Sequence, residues 1–283
     1  MEIKSLEKTD FETIIRAFRQ AFADYDIQIN AEELRTMLKR RGFDPCLSFA
    51  AFEGGDIVSF TLNGIGIFNG IKMAYDTGTG TLTDYRGRGL ATEVFNYSIP
   101  FLKAESISHY LLEVLQHNTK AVSVYRNIGF EVTREFNYFV WKNEELKNEI
   151  INTEIQCSIE KIDIENYHSV SSFWDFYPSW QNSFESIQRT IGDFISLGAF
   201  VDRKIVGYYV FEPNTGDITQ IAVDKPFRRK GIASLLLHEA TKHNKITKTK
   251  LLNTEISCNS VVGFMKKKNI EVTGKQYEMI KKL

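Results

Sequence analysis

One pattern occurs twice in the 283 residues, and that repetition limits the chain more than any other feature of its sequence. Ala51–Asn63 reads AFEGGDIVSFTLN and Ala199–Phe211 reads AFVDRKIVGYYVF, each an apolar run, a polar turn and a second apolar run. Further on, GTLTDYRGRGLATEVF from Gly80 is matched by AVDKPFRRKGIASLLL from Ala222, a strand, a turn and a helix start. The tails GFEVT at 129–133 and NIEVT at 269–273 close the two copies, and the register between copies varies from 140 to 148 residues. A chain of 283 residues is long for one compact core and sufficient for two. The expected organisation is a domain over 1–143, a linker over 144–154 and a second domain over 155–283, both of α/β type. The linker sequence, charged and without Gly or Pro, suits a short helical or extended connection.

Local signals fill in each copy. Phe11, Ile14, Ile15, Phe18 and Phe22 recur at helical spacing. Asn69-Gly70 between two apolar runs predicts a hairpin with a type I′ turn. Pro100 falls within the helix that starts after Gly87 and predicts a kink or break there.

Composition removes several classes of function. No apolar run approaches the roughly 20 residues of a membrane helix, and the N-terminus lacks the apolar stretch of a signal peptide. Cys46, Cys157 and Cys258 are far apart and form no CxxC pair, which suits reduced thiols in the cytoplasm. The histidines at 109, 117, 168, 238 and 243 form no ligand-spaced cluster with them, so no metal site is expected. Charge is uneven: residues 1–150 carry 17 bases against 21 acids, and the last sixty carry 14 bases against 5 acids. A solvated basic face explains this, and so does a landing surface for a phosphorylated ligand. Nucleic acid ranks below both, because the bases are not interleaved with aromatics.

The glycine turns carry the chemistry. Arg86-Gly87-Arg88-Gly89-Leu90-Ala91 lies between a strand and an amphipathic helix. Glycines there permit a tight turn and leave backbone N–H groups uncovered at a helix N-terminus, a nest for a pyrophosphate to which the arginines add charge. Arg228-Arg229-Lys230-Gly231-Ile232-Ala233 repeats it. One such loop alone is explained better by helix capping. Neither copy is a Walker loop or a GxGxxG fingerprint.

With its Arg-x-x-Gly-x-Ala spacing at Arg86, Gly89 and Ala91, and again at Arg228, Gly231 and Ala233, the turn resembles the coenzyme-A-binding motif of the GNAT acetyltransferase superfamily. Asn118-x-x-Ala121-x-x-x-Tyr125-x-x-x-Gly129-Phe130 is similar to that family's second signature. The resemblance covers most of both copies and is stronger in the first. It implies two tandem GNAT-like domains, each a mixed twisted sheet flanked by helices, in which two central strands splay apart to admit pantetheine. It also implies acetyl-CoA as cosubstrate. Backbone groups of Thr79, Gly80, Thr81, Ile221 and Val223 would then hold pantetheine. Arg86, Gly87, Arg88, Gly89, Leu90, Ala91 and Asn118, with Arg228, Arg229, Gly231 and Ala233, would complete the cofactor sites. The acceptor would be an amine-bearing small molecule or peptide; a homodimer stays open.

Acetyl transfer to an amine requires deprotonation of the ammonium, polarisation of the thioester and protonation of the leaving thiolate. Glu113 lies in the apolar run YLLEVL, where a carboxylate faces either solvent or the splay. Tyr125 is explained by core packing or by catalysis. The spacing of Glu113, Asn118 and Tyr125 resembles ribosomal-protein N-terminal acetyltransferases, which implies Glu113 as a base through water and Tyr125 as the acid. Phe18, Phe22 and Tyr25 fall where the family's acceptor lip would lie, and packing explains them equally. Asp24 and Asp26 suit a solvated turn or attraction of a cationic acceptor. The run FWDFYPSW at 173–180 fits a pocket wall, and better a packing surface. His238 and His243 suggest no role. In the second copy Met265 or Lys266 falls opposite Tyr125, Cys258 or Asn259 opposite Asn118, and Asn253 opposite Glu113, with Tyr277 the one other phenol near the end. A catalytically degenerate second domain is therefore expected, one that binds coenzyme A weakly or shapes the acceptor pocket. The competing readings are a non-catalytic acyl-CoA sensor and a nucleic-acid-binding protein.

Overall fold

A computed structural model of the chain describes residues 1–24, 29–146, 152–166 and 168–283, with the backbone alone at His168. Tyr25, Asp26 and the linker residues 147–151 lie outside the described residues. In chain order the first half contains β1 (Glu2–Ser5), α1 (Phe11–Ala21), α2 (Ala31–Arg41), β2 (Phe49–Glu53), β3 (Asp56–Phe68), β4 (Ile71–Thr81), α3 (Leu90–Ala104), β5 (His109–Leu115), α4 (Thr119–Asn127) and β6 (Glu131–Lys142). The second half contains β7 (Ser158–Lys161), α5 (Phe184–Arg189), β8 (Ile195–Val201), β9 (Lys204–Glu212), β10 (Asp217–Val223), α6 (Ile232–His243), β11 (Lys248–Glu255), α7 (Asn259–Lys267) and β12 (Gly274–Lys282).

The chain packs as two compact units. Unit 1 is Met1–Thr133 with Tyr277–Leu283, and unit 2 is Arg134–Gln276. The strand order in unit 1 is β1-β2-β3-β4-β5-β12, and in unit 2 it is β7-β8-β9-β10-β11-β6. Strand by strand the two orders are the same, but each sixth strand comes from the other half of the sequence. Compact units and sequence repeats are thus different divisions of this chain.

In unit 1 the expected helical face exists. Asp10 caps α1 by accepting from the Thr13 N–H at 2.8 Å, and Ile14, Ile15, Ala17, Phe18 and Ala21 are buried. Asn30 and Glu33 form a capping box at α2. The β3–β4 hairpin turns at Asn69 (φ 50°) and Gly70 (φ 74°), the paired left-handed residues of a type I′ turn. Helix α3 runs unbroken through Pro100. The ring removes a donor and no more than one turn's bond, and the burial of Val94, Phe95 and Leu102 on both sides holds the helix together. The C-terminal residues complete the core: Met279 is fully buried with Ala74, Tyr110, Leu112 and Phe130, and the Leu283 N–H donates to the Ser108 carbonyl at 2.9 Å.

Unit 2 repeats these details. Its hairpin turn has Asp202 and Arg203 at positive φ where unit 1 has Gly54 and Gly55. Both copies carry a register shift just before the turn, at Ala51/Phe52 and at Ala199/Phe200. The Leu82 N–H donates to Val58 at 3.0 Å, and the Asp224 N–H to Val206 at 2.9 Å. Phe139 and Trp141 of β6 are buried with Leu236, Leu237 and Leu251.

Candidate active site at the splayed strands

Parallel pairing between β4 and β5 covers Met73–His109, Ala74–Tyr110 and Tyr75–Leu111 and stops there. Beyond it β4 continues through Asp76 to Thr81 along β3 alone, so its other edge opens into a splay. Thr79, Gly80 and Thr81 occupy that segment. Glycine is required at position 80, because a Cβ would come within 2.6 Å of Phe60 and 2.9 Å of Ala21. The close approach seats α1 against the strand.

The chain then turns at Arg86–Gly89. Gly87 and Gly89 have φ of +76° and +79°, and the space a Cβ would enter at either is empty to 4 Å. Gly89 is the N-cap of α3 and contributes no capping side chain, which leaves the first-turn amides at Leu90 and Ala91 to an external acceptor. Both arginines make hydrogen bonds within the protein. Arg86 donates to both oxygens of Asp24 (2.6 and 2.9 Å), to the Ala21 carbonyl (2.8 Å) and to the Thr81 carbonyl (3.1 Å). It ties the end of α1 to the last strand residue before the nest. Those hydrogen bonds hold the Asp24 carboxyl down at about 2. Arg88 donates to the Asp84 carbonyl at 2.7 Å and lies over the Tyr85 ring.

Tyr125, partly buried on α4, reaches into the splay: its hydroxyl donates to Asp76 Oδ2 at 3.0 Å. Asp76 Oδ1 accepts from the Gly78 N–H (2.9 Å) and the Thr79 hydroxyl (3.1 Å). Burial raises the Asp76 carboxyl above its ordinary range, while these donors and the nearby Arg41 pull against the rise. Glu113 sits on β5, partly buried beside Tyr75. Burial pushes the Tyr75 hydroxyl well up, and the charge of Glu113, its hydrogen-bonding neighbour, adds to the rise. Asn118 is the N-cap of α4, and its side chain accepts from the Ala121 N–H at 3.2 Å. That role organises the helix carrying Tyr125.

Unit 2 contains a cavity of about 560 Å³ in the corresponding splay, where β10 and β11 pair only at Asp217–Lys250. Ile221, Val223, Arg228, Arg229, Gly231 and Ala233 all line it. Phe173, Trp174, Phe176 and Pro178 line it too, so much of the aromatic run is wall, while Trp180 is buried. Arg228 repeats the Arg86 arrangement. It donates to Asp175 (3.0 and 2.9 Å) and to the carbonyls of Phe173 (2.8 Å) and Val223 (2.9 Å). The nest itself differs. A Cβ on Gly231 would fall 2.4 Å from the Asn152 carbonyl oxygen, and the Glu154 N–H donates to the Lys230 carbonyl at 3.2 Å. Residues 152–154 therefore lie across the turn that in unit 1 is open.

The catalytic positions differ as well. Cys258 is the N-cap of α7 as Asn118 is of α4, and seven residues on from each cap stand Met265 and Tyr125. Met265 is buried in the unit 2 core. Asn253 follows Leu251-Leu252 as Glu113 follows Leu111-Leu112. Its amide donates to Ser179 at 2.8 Å and accepts from Gln276 at 2.9 Å.

Sequence reasoning overlooked Asp76 and Asp175, and it weighed Asp24 as a turn residue or an attractor of a cationic acceptor, not as the partner of Arg86. The Asp-x-Gly spacing at 76–78 is a local signal of a side chain folding onto its own backbone. Nothing local marks the partners, which are 62 and 53 residues from their arginines.

Solved structures with the same fold include a GCN5-related N-acetyltransferase from Sphaerobacter thermophilus, with a TM-score of 0.71 at 15% identity, covering 99% of this chain and 95% of that one. A tandem GNAT protein from the clavulanic acid biosynthesis pathway has a TM-score of 0.76 at 12% identity, with 99% and 98% covered. A putative acetyltransferase from Pyrococcus horikoshii has a TM-score of 0.69 at 14% identity, with 100% and 89% covered. Comparison with curated protein sequences gave no match. The model of the acetyltransferase (GNAT) family matches residues 11–130 and again 161–257, a segment in each repeat. With that match over most of its length, and with two GNAT folds in tandem, the chain belongs to the GNAT acetyltransferase family.

Proposed function

We propose that unit 1 transfers an acetyl group from acetyl-CoA directly to a primary amine of a small molecule or peptide, and that unit 2 does not turn over. The observation that carries this reading is a coincidence in unit 1: the open Gly87/Gly89 turn follows the splayed strand that Tyr125 overhangs. Empty space at both glycines and uncapped amides at α3 suit a diphosphate, so the residues present fit coenzyme A. The free edge of β4 at Thr79–Thr81 suits an extended amide arm.

When bound, acetyl-CoA supplies the activated thioester. The protein's part is to align the amine with it, to take a proton from the ammonium and to return one to the departing sulfur. Glu113 takes the first through a water, and Tyr125 supplies the second. In unit 2 a thioether and an amide stand at these positions; the thioether has no proton to give, and the amide cannot serve as a base at neutral pH. The reading places the protein in the cytoplasm, where its three free cysteines stay reduced. Free-thiol release from acetyl-CoA, measured over a panel of aminoglycosides, polyamines, amino acids and peptides, tests the proposal. Release that depends on one amine class supports it; binding of acetyl-CoA without release for any amine would make the protein a sensor.

A further inference from the structure

A catalytic phenol must be held where the leaving sulfur arises and must keep its proton until then. Tyr125 lies on a nine-residue helix, and its hydroxyl contacts β4 through Asp76 Oδ2. Asp76 is itself fixed. Its other oxygen accepts from the Gly78 N–H and the Thr79 hydroxyl, so the carboxylate cannot rotate without losing two bonds. It stands one residue past the last β4–β5 pair, where the splay begins.

We propose that Asp76 is the positioning residue for Tyr125, orienting the phenol into the splay and keeping it protonated; this rests on reading Tyr125 as the acid. A carboxylate against a phenol disfavours the phenolate by charge repulsion and raises the pH at which the proton is lost. The proton step balances simply. The Tyr125 hydroxyl turns its one hydrogen from Asp76 to the departing sulfur; the O–H bond breaks as the sulfur–hydrogen bond forms, and the phenolate regains its proton from solvent before the next turnover. Other groups face this pair. Arg41 of α2 lowers the Asp76 carboxyl and donates to the Thr77 carbonyl at 3.2 Å. Tyr110 of β5 senses the charge of both partners, while its hydroxyl donates to Asn63. Tyr75 and Glu113 form the adjoining contact.

In unit 2 Met265 replaces the phenol and Ile218 the carboxylate: Ile218 pairs with Phe211 of β9 as Asp76 pairs with Asn63 of β3. The phenol and its carboxylate are present together in one unit and missing together in the other.

The test follows ring-carbon resonances of 13C-labelled tyrosine in the full-length protein through a pH titration, with Tyr125 assigned from Tyr125→Phe. In Asp76→Asn the Tyr125 midpoint is expected to fall by about one to three pH units, as loss of a neighbouring like charge requires. In turnover the alkaline limb of kcat shifts down with it, and kcat drops roughly tenfold or more, with the ~10²–10⁴-fold a general acid contributes as its upper bound, at unchanged KM for acetyl-CoA. Loss of stability alone, with the Tyr125 midpoint unmoved, would overturn the proposal. Should the variant not fold, the wild-type Tyr125 resonance suffices: it must show a second inflection as Asp76 titrates, and its absence overturns the pairing. Full turnover in Tyr125→Phe would refute the acid reading instead, independently of what the titration shows.

Discussion

Met279→Ala tests the exchange of strands between the sequence halves. Met279 is fully buried, four residues from the C-terminus, yet its neighbours are Ala74, Tyr110, Leu112 and Phe130 of the first half. Removing a buried methionine side chain costs about 2–5 kcal/mol through lost burial and the cavity left behind. At about 3 kcal/mol, the ratio of folded to unfolded unit 1 falls roughly 150-fold. The loss must appear at a distance in sequence. Hydrogen exchange read by mass spectrometry should show faster exchange in peptides covering β4 and β5, with β9 and β10 keeping their protection. Loss of protection confined to β8–β11, or no loss anywhere, would refute the assignment of the C-terminal strand to unit 1.

Two further outcomes follow from the sites. Calorimetry should find one acetyl-CoA per chain, since residues 152–154 cover the Gly231 turn, and Gly89→Glu should remove that binding; a second site of similar affinity would show that the covering segment gives way. Asp24 titrates at about 2 in the fold against an ordinary 3.8, so its bond to Arg86 stabilises fully above that ordinary value and is lost as pH falls through about 2. Chemical unfolding should therefore find Asp24→Asn less stable than the wild type at pH 6, with the difference shrinking between about pH 4 and pH 2; a difference that persists at the acid end would rule out the ion pair as its source.

Much of this was legible because it is local. The Asn69-Gly70 turn, the α1 stripe and the glycine turns each depend on a few adjacent residues, and the repeat announced the doubled fold. What the sequence concealed depends on partners far along the chain. The turn shows the charge of Arg86 and not its partner Asp24, which lies 62 residues away. The two copies look self-contained because β6 and β12 each read as the natural end of its own half, whereas the packing of Phe139 and Met279 assigns each to the opposite unit. Pro100 shows the reverse case, a strong local signal that does not end a helix buried on both sides of it. The covered Gly231 turn had no signal, because the motif there is intact and the segment across it precedes the second copy.

The most direct measurement is thiol release from acetyl-CoA by full-length protein carrying Tyr125→Phe with Glu113→Gln, beside the wild type and with the best amine of the panel. Unit 1 as the sole enzyme predicts a fall in kcat of at least the ~10²–10⁴-fold that one acid or base contributes, with acetyl-CoA still bound at the Gly89 turn. Turnover close to that of the wild type would contradict the account and make unit 2, with its 560 Å³ cavity, the catalytic one.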